Sequence, residues 1–332
     1  MARRSAFCLI ACVALLIVLG FVMLMSTGGF SQESANDEWA GMKRQGVWLG
    51  IGVMACTCMA LTDYHRLQRW AWPIFWACCL LLVLCFIPGI GHSRGGASRW
   101  INLGGFKGQP SEAARIGVLI GLAAWCSRFR DRRTSFSWGF ALPLMVMAIP
   151  VTLIAAEVDL GTAVLLFIVC ASVLFVAGTR WVYITGMILA GIAALWLGIQ
   201  MGESRTAQNR KARITAFLHL EDEKFAKDYP EIAELNDQQK QGLFALGSGG
   251  PMGKGLGDGV QKQHYLPLCH TDFIFPVIGE ELGVVATLGT VLLVLGIAFS
   301  GFLVAAHAPD RYGKLLGTGL VLLIVVQALI NI

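Results

Sequence analysis

Nine stretches of this chain are apolar for long enough to hold a helix in lipid: residues 7–25, 47–61, 70–90, 116–126, 140–156, 160–177, 181–201, 273–306 and 315–330. A bilayer core takes about 20 residues of helix, and backbone inside it must satisfy its own hydrogen bonds. The pattern therefore predicts an all-α polytopic membrane protein with about nine transmembrane helices, the second and fourth borrowing flanking residues to reach across. A composition with 56% hydrophobic and only 14% charged residues excludes a water-soluble globule. Arg3 and Arg4 precede the first stretch as in a signal peptide, but its apolar run exceeds the usual length and further spans follow, so it reads as a retained helix.

The short connections carry the orientation. Arg3 and Arg4, Arg66 and Arg69, Arg128, Arg130, Arg132 and Arg133, Arg180, and Arg311 with Lys314 fall on alternate connections, which places those and the N-terminus in the cytoplasm. The opposite connections, 26–46, 91–115, the tight turn at 157–159 and a long loop over 202–271, are then external. The net charge of +5 reflects this topology and does not point to nucleic acid, because no one-signed face is needed to explain it. Nine of the ten cysteines lie in or at the ends of apolar runs and read as small packing residues; Cys269 alone is external. His264, Cys269 and His270 match no familiar ligand spacing, so no structural zinc is expected.

The chemistry-bearing residues crowd the external side. Asn236 and Gln239 are spaced as a capping box for a short helix stopped at Gly247 and lying on the membrane surface. The following glycines, through Gly259, permit close backbone approach to a ligand, with Pro251, Met252 and Leu256 as apolar anchors; a flexible linker is the equal alternative. Asp272 then stands at the first turn of an apolar helix, where its anion is favoured, and an N-cap is the competing role. In the loop over 91–115, Arg99 and Lys107 flank Trp100, a combination suited to an anionic amphipathic headgroup, or else an ordinary solvated loop. Pro110, Ser111 and Glu112 start the next helix. Glu157 and Asp159 sit in the tight turn, with capping by Asp159 the simplest role. Glu280 and Glu281 lie within the eighth apolar stretch. Adjacent helical residues point about 100° apart, so at most one faces an external cavity, and Gly279 with Gly283 reads as a helix-packing pair.

The runs GASRWINLGGFKGQPSE, EVDLGTA, LGSGGPMGKGLGDGVQKQHYLP and HTDFIFPVIGEELG resemble, in order and spacing, the motifs of the SEDS family of bacterial shape, elongation, division and sporulation proteins. Gln261 and Lys262 before Tyr265 side with its division member. The resemblance spans the chain as a single integral membrane domain, 1–332, and implies a peptidoglycan glycosyltransferase that polymerises lipid II on the outer face of the cytoplasmic membrane. It places the family's essential aspartate on Asp272 and its functionally important Arg, Trp and Lys on Arg99, Trp100 and Lys107. It further implies a class B penicillin-binding protein and other division proteins as partners. Val158 stands where the family usually has proline, Leu268 replaces a glutamate, and the family's tenth span has no counterpart before Ile332, so a shortened chain is expected.

The residues fit that chemistry. A sugar hydroxyl attacking an anomeric carbon while pyrophosphate leaves needs a base, here Asp272, and cations, here Arg99, Lys107 and Lys262. Glu112, Glu157, Asp159 and Glu280 are possible supporting carboxylates. A divalent cation, Mg or Mn, could share the pyrophosphate charge, but no dedicated carboxylate cage is evident. Two rival classes stand beside this reading: a lipid II flippase or other transporter, for which Glu280 and Glu281 would be a midplane charge site, and a non-catalytic division scaffold.

Overall fold

A computed structural model describes residues 2–28, 40–87, 91–94, 97–103, 106–200, 215, 237–262 and 272–332. Each apolar stretch falls on a helix: α1 (Ala2–Gly28), α2 (Ala40–Leu61), then after the single-turn α3 (His65–Arg69) α4 (Ala71–Leu84), α5 (Pro110–Arg128), α6 (Leu142–Ala156), α7 (Leu160–Ala177), α8 (Trp181–Gln200), and, after the short α9 (Asp237–Ser248), α10 (Ile274–Ala306) and α11 (Arg311–Asn331). Among the described residues, seven helical segments are long and apolar enough to cross a membrane. The stretch over 70–90 stops being helical at Leu84, whereas the short one over 116–126 gains two turns before it, because Pro110 at the first position and Glu112 in the first turn start α5 early.

The loop over 91–115 contains structure that glycine-rich composition concealed. Gly91–Arg94 (β1), Ala97–Leu103 (β2) and Phe106–Gly108 (β3) form a three-stranded antiparallel sheet in the order β1-β2-β3, so among the described residues one small sheet is added to the helices. Ile101 is the buried anchor of β2, paired with Gly91 on one side and Gly108 on the other.

The chain divides into two compact units. The first comprises Met1–Ala6, Cys58–Ile192 and Ala298–Gln327. Its centre is α7, whose Leu165, Leu166, Val169, Cys170, Val173 and Leu174 are buried, with α5 beside it. Small residues let the helices close in: a Cβ on Gly117 would stand 2.6 Å from Cys78 Sγ, and one on Gly319 3.1 Å from Val173. Close contact of this kind matters in lipid, where tails are as apolar as leucine and packing does the work of holding helices together. Five of the nine described cysteines are buried, as packing residues would be, while Cys8, Cys56 and Cys58 face outward from α1 and α2; Cys269 lies outside the described residues.

The second unit comprises Phe7–Thr57, Ala193–Ile297 and Ala328–Ile332. Met23 of α1, Val277 and Ile278 of α10 form its buried centre. Helix α9 covers the start of α10: Ala245 is fully buried, and a Cβ on Gly242 would touch Phe273 and Pro276. Asn236, the expected cap, lies outside the described residues, and the helix runs one residue past Gly247 before turning at Gly249 and Gly250.

Candidate active site

Helix α10 has 33 residues, about 50 Å of helix against a bilayer core of about 30 Å. It resolves this excess by breaking at Gly283, whose φ of 78° and ψ of −173° lie outside any helix. Val284 to Ala306 then span about 35 Å, and Ile274–Leu282 is left as a separate half-helix.

A break in lipid frees backbone groups that need partners. The glycine-rich segment after α9 supplies them. Lys254 and Gly255 donate their N–H groups to the carbonyls of Glu280 and Glu281 at 2.9 and 3.0 Å, while Val284 and Val285 donate to the carbonyls of Gly250 and Pro251 at 3.0 and 3.4 Å. The loop thus takes over the hydrogen bonds that a continuous helix would make across the gap. Two of its glycines are required by contact: a Cβ on Gly249 would collide with the Gly279 carbonyl and one on Gly253 with the Glu281 backbone, and Gly253 also has a φ of 80°. The expected apolar anchors play no such part, since Met252 and Leu256 are exposed. Gly283 meets this loop, so its pairing with Gly279 against a neighbouring helix is corrected: Gly279 makes room for Leu246 of α9, and Gly283 makes the break.

Both carboxylates at the break are fully buried, so neither faces an external cavity. The break lets a loop wrap both directions. Glu280 accepts from Lys254 Nζ at 2.7 Å and from the N–H groups of Val260 and Gln261 at 3.0 and 3.1 Å. Glu281 accepts from Lys262 Nζ at 2.5 Å, from Ser26 Oγ at 2.7 Å and from the Gly257 N–H at 3.2 Å. Lys262 also donates to the Ser26 hydroxyl at 2.8 Å and is itself buried. It is committed to the interior and does not present its charge to a substrate, which corrects the expectation for that cation. Ser26 and Lys254 carry no sequence signal for these roles, because their partners are more than 20 residues away.

Asp272 lies in the turn immediately before Ile274, at the mouth of the half-helix, and is exposed. Among the described residues no hydrogen bond or ion pair engages its carboxylate, and the N-cap alternative finds no support there. His264, His270 and Thr271 lie outside the described residues.

In the first unit, Arg99 and Trp100 project from β2. Trp100 is exposed. Arg99 is half-buried and reaches the turn between α6 and α7, where one guanidinium N–H group donates to the Val158 carbonyl at 2.5 Å and Nη1 stands 3.9 Å from Asp159 Oδ1; its buried Nε has no partner among the described residues. Lys107 sits on β3 opposite Asn102. Glu112 is paired with the buried Arg115, which also holds Gln327. Asp159 caps α7 through the Thr162 N–H and also accepts from Thr162 Oγ1 and Gln109 Nε2, as its capping role predicts.

Glu157 is the outlier. It is 1% exposed, and among the described residues neither carboxylate oxygen has a hydrogen bond of normal geometry, although the Cys85 thiol approaches it. Burial, with the nearby Asp159 charge adding to it, pushes its carboxyl up to about 7; Cys85 and Arg99 oppose that shift. Val158 beside it has a φ of 67°, a conformation costly for a β-branched residue and closed to proline.

These features define a multi-pass helical membrane protein with a loop-filled helix break and an exposed acid at the mouth of the half-helix. Residues 6–332 match the FtsW, RodA and SpoVE family profile, described as cell cycle protein. The chain is 35% identical over 317 residues, 95% of its length and 81% of the relative's, to a probable peptidoglycan glycosyltransferase FtsW of Geobacter metallireducens. It is 33% identical to the stage V sporulation protein E of Bacillus subtilis, over 96% of this chain and 84% of that one. Among solved structures it resembles a chain of a peptidoglycan synthase complex that coordinates polymerization and crosslinking, with a TM-score of 0.73 at 26% identity, covering 97% of this chain and 84% of that one. The rod shape determining protein RodA of Thermus thermophilus gives a TM-score of 0.67 at 25% identity over 97% of this chain and 82% of that one. The chain belongs to the FtsW, RodA and SpoVE family.

Proposed function

We propose that the chain is a peptidoglycan glycosyltransferase of bacterial cell division that polymerises lipid II into glycan strands, with Asp272 as general base. The observation that carries the assignment of the base is the exposed carboxylate, without a partner among the described residues, at the mouth of a half-helix whose other end is fastened by the glycine loop. Asp272 takes the proton from the acceptor sugar hydroxyl, the hydroxyl oxygen bonds to the anomeric carbon of the donor, and the bond from that carbon to the pyrophosphate oxygen breaks. Pyrophosphate carries away the electron pair, and Arg99 and Lys107 serve to hold the anionic groups of the lipid-linked substrate, with Trp100 at the interface.

Among the described residues no three His, Cys, Asp or Glu side chains gather to hold a metal ion. A divalent cation would therefore draw most of its ligands from the substrate's phosphates and water. The site belongs on the external face of the cytoplasmic membrane with the N-terminus inside, as the alternation of arginines supports, and a class B penicillin-binding protein with other division proteins is the proposed company.

The transporter reading gains one observation, the interrupted helix with two acids at its break. It loses weight because the gap is filled by the protein's own loop and both acids are paired. Asp272→Asn separates the readings. The variant should keep its thermal stability and lose glycan-strand synthesis from lipid II by about a hundredfold or more, assayed with its cognate penicillin-binding protein. A stable and fully active variant removes Asp272 as the base.

A further inference from the structure

Five helix ends come together in the first unit: those flanking the α5–α6 connection and the α7–α8 turn, and the start of α11. Thr179 donates its hydroxyl to the Gly139 carbonyl at 3.0 Å, and Arg311 donates to the Ala177 carbonyl. The Arg133 side chain lies over Gly178, where a Cβ would stand 3.2 Å from its Cδ. These contacts draw together arginines that are dispersed in sequence.

Arg128, Arg130, Arg132, Arg133 and Arg180 are exposed, and among the described residues none of them forms an ion pair. Arg311 interacts electrostatically with Arg133 and Arg130, and Asp131 partly offsets them. Like charges held this close repel one another, and the C-terminus of α7 offers only about half a negative charge in return. Beneath them is a rigid aromatic floor. Trp125, Phe129 and Trp138 have ring centroids 4.5 to 5.9 Å apart, Trp125 Nε1 donates to the Trp138 carbonyl at 3.2 Å, and the Arg132 guanidinium lies 5.0 Å above the Trp138 ring. Between them, Trp125, Phe129, Arg133, Trp138 and Thr179 line a cleft with room for about one water molecule.

A topological signal needs basic residues in a connection, but it does not need them folded together over aromatic rings. Their place along the chain matters as well: Arg128 to Arg133 follow the end of α5, Arg180 precedes α8 and Arg311 starts α11, and basic residues flanking apolar helices are attracted to anionic headgroups. We infer that this surface is a binding site for the headgroup of an anionic membrane phospholipid, its phosphate held by the guanidiniums of Arg130, Arg132 and Arg133 and its glycerol resting on the Trp125–Trp138 floor. By the arginine alternation it faces the cytoplasmic leaflet. It rests on the basic cluster alone and stands apart from Asp272 and its reaction.

The test is native mass spectrometry of the full chain released from nanodiscs containing either phosphatidylglycerol or phosphatidylcholine, with soluble glycerol phosphate as competitor. Phosphatidylglycerol should remain bound and phosphatidylcholine should not. Replacing Arg130, Arg132 and Arg133 together by Gln should lower phosphatidylglycerol occupancy about tenfold or more, whereas Arg3→Gln with Arg4→Gln should leave it unchanged. Replacing the same three by Lys keeps the charge and the topology but removes the planar fork, so occupancy should fall severalfold. Equal retention of both lipids, or full phosphatidylglycerol binding by the lysine variant, overturns a built site and leaves a general attraction for anions. Displacement by millimolar glycerol phosphate would make the ligand a soluble phosphate and overturn the lipid assignment.

Discussion

Lys262 Nζ lies 2.5 Å from Glu281 Oε1, with both side chains wholly buried. Taking two charges out of water is costly, and the pair persists because Ser26 and the Gly257 N–H complete its hydrogen bonding. Removing one partner strands the other. Glu281→Gln should destabilise the protein by about 3 to 5 kcal/mol, whereas Lys262→Met combined with Glu281→Leu should recover most of that loss. Unfolding in detergent, followed by thermal melting, measures both.

The glycine loop is a filling for the helix break, and single substitutions expose the difference from a linker. Gly253→Ala meets both a positive φ and the Glu281 backbone, so it should cost more than about 2 kcal/mol and lower the melting temperature by several degrees. Gly247→Ala, in α9 with open space around it, should be neutral or stabilising by up to about 1 kcal/mol. A loop that tolerated both equally would be a flexible tether.

Glu157 makes stability pH-dependent in an unusual direction for a carboxylate. Its folded value of about 7 lies above the ordinary 4.5, so between those values the folded protein holds a proton that the unfolded chain releases. Stability should therefore be full below about pH 4.5, fall as pH rises and level off above about 7, with a total loss of up to about 3 kcal/mol. Glu157→Gln should flatten that component. Melting curves across the range for both proteins settle the sign.

Arg99 and Lys107 should each weaken lipid II binding by about 1.5 to 3 kcal/mol when replaced by alanine, the scale of a charge-assisted hydrogen bond. Direct binding to purified lipid II is the measurement. Unchanged affinity in both variants would return the sheet to the status of a solvated loop, with Arg99 serving only to hold the Val158 carbonyl.

The helices were legible because lipid imposes one rule on every span: about 20 apolar residues with internal hydrogen bonds. Local signals at element ends held for the same reason, as with Asp159 capping α7 and Pro110 starting α5. The glycine loop was visible as a feature but ambiguous in meaning, since closeness to a ligand and closeness to the protein's own backbone demand the same residue. Lys262 misled because a cation near Asp272 in sequence does not reveal which way it points.

By itself the sequence determined the class of this protein, that its apolar stretches are helices and the place of Asp272 at a helix mouth, all of which depend on residues that are neighbours along the chain. Only the tertiary structure decided that Glu280 and Glu281 are enclosed with Lys254 and Lys262, that Ser26 joins them from the first helix, and that arginines of three separate connections share one surface. Those outcomes depend on distances between segments far apart in sequence, and the cost of burying a charge is repaid only by partners that folding brings to it.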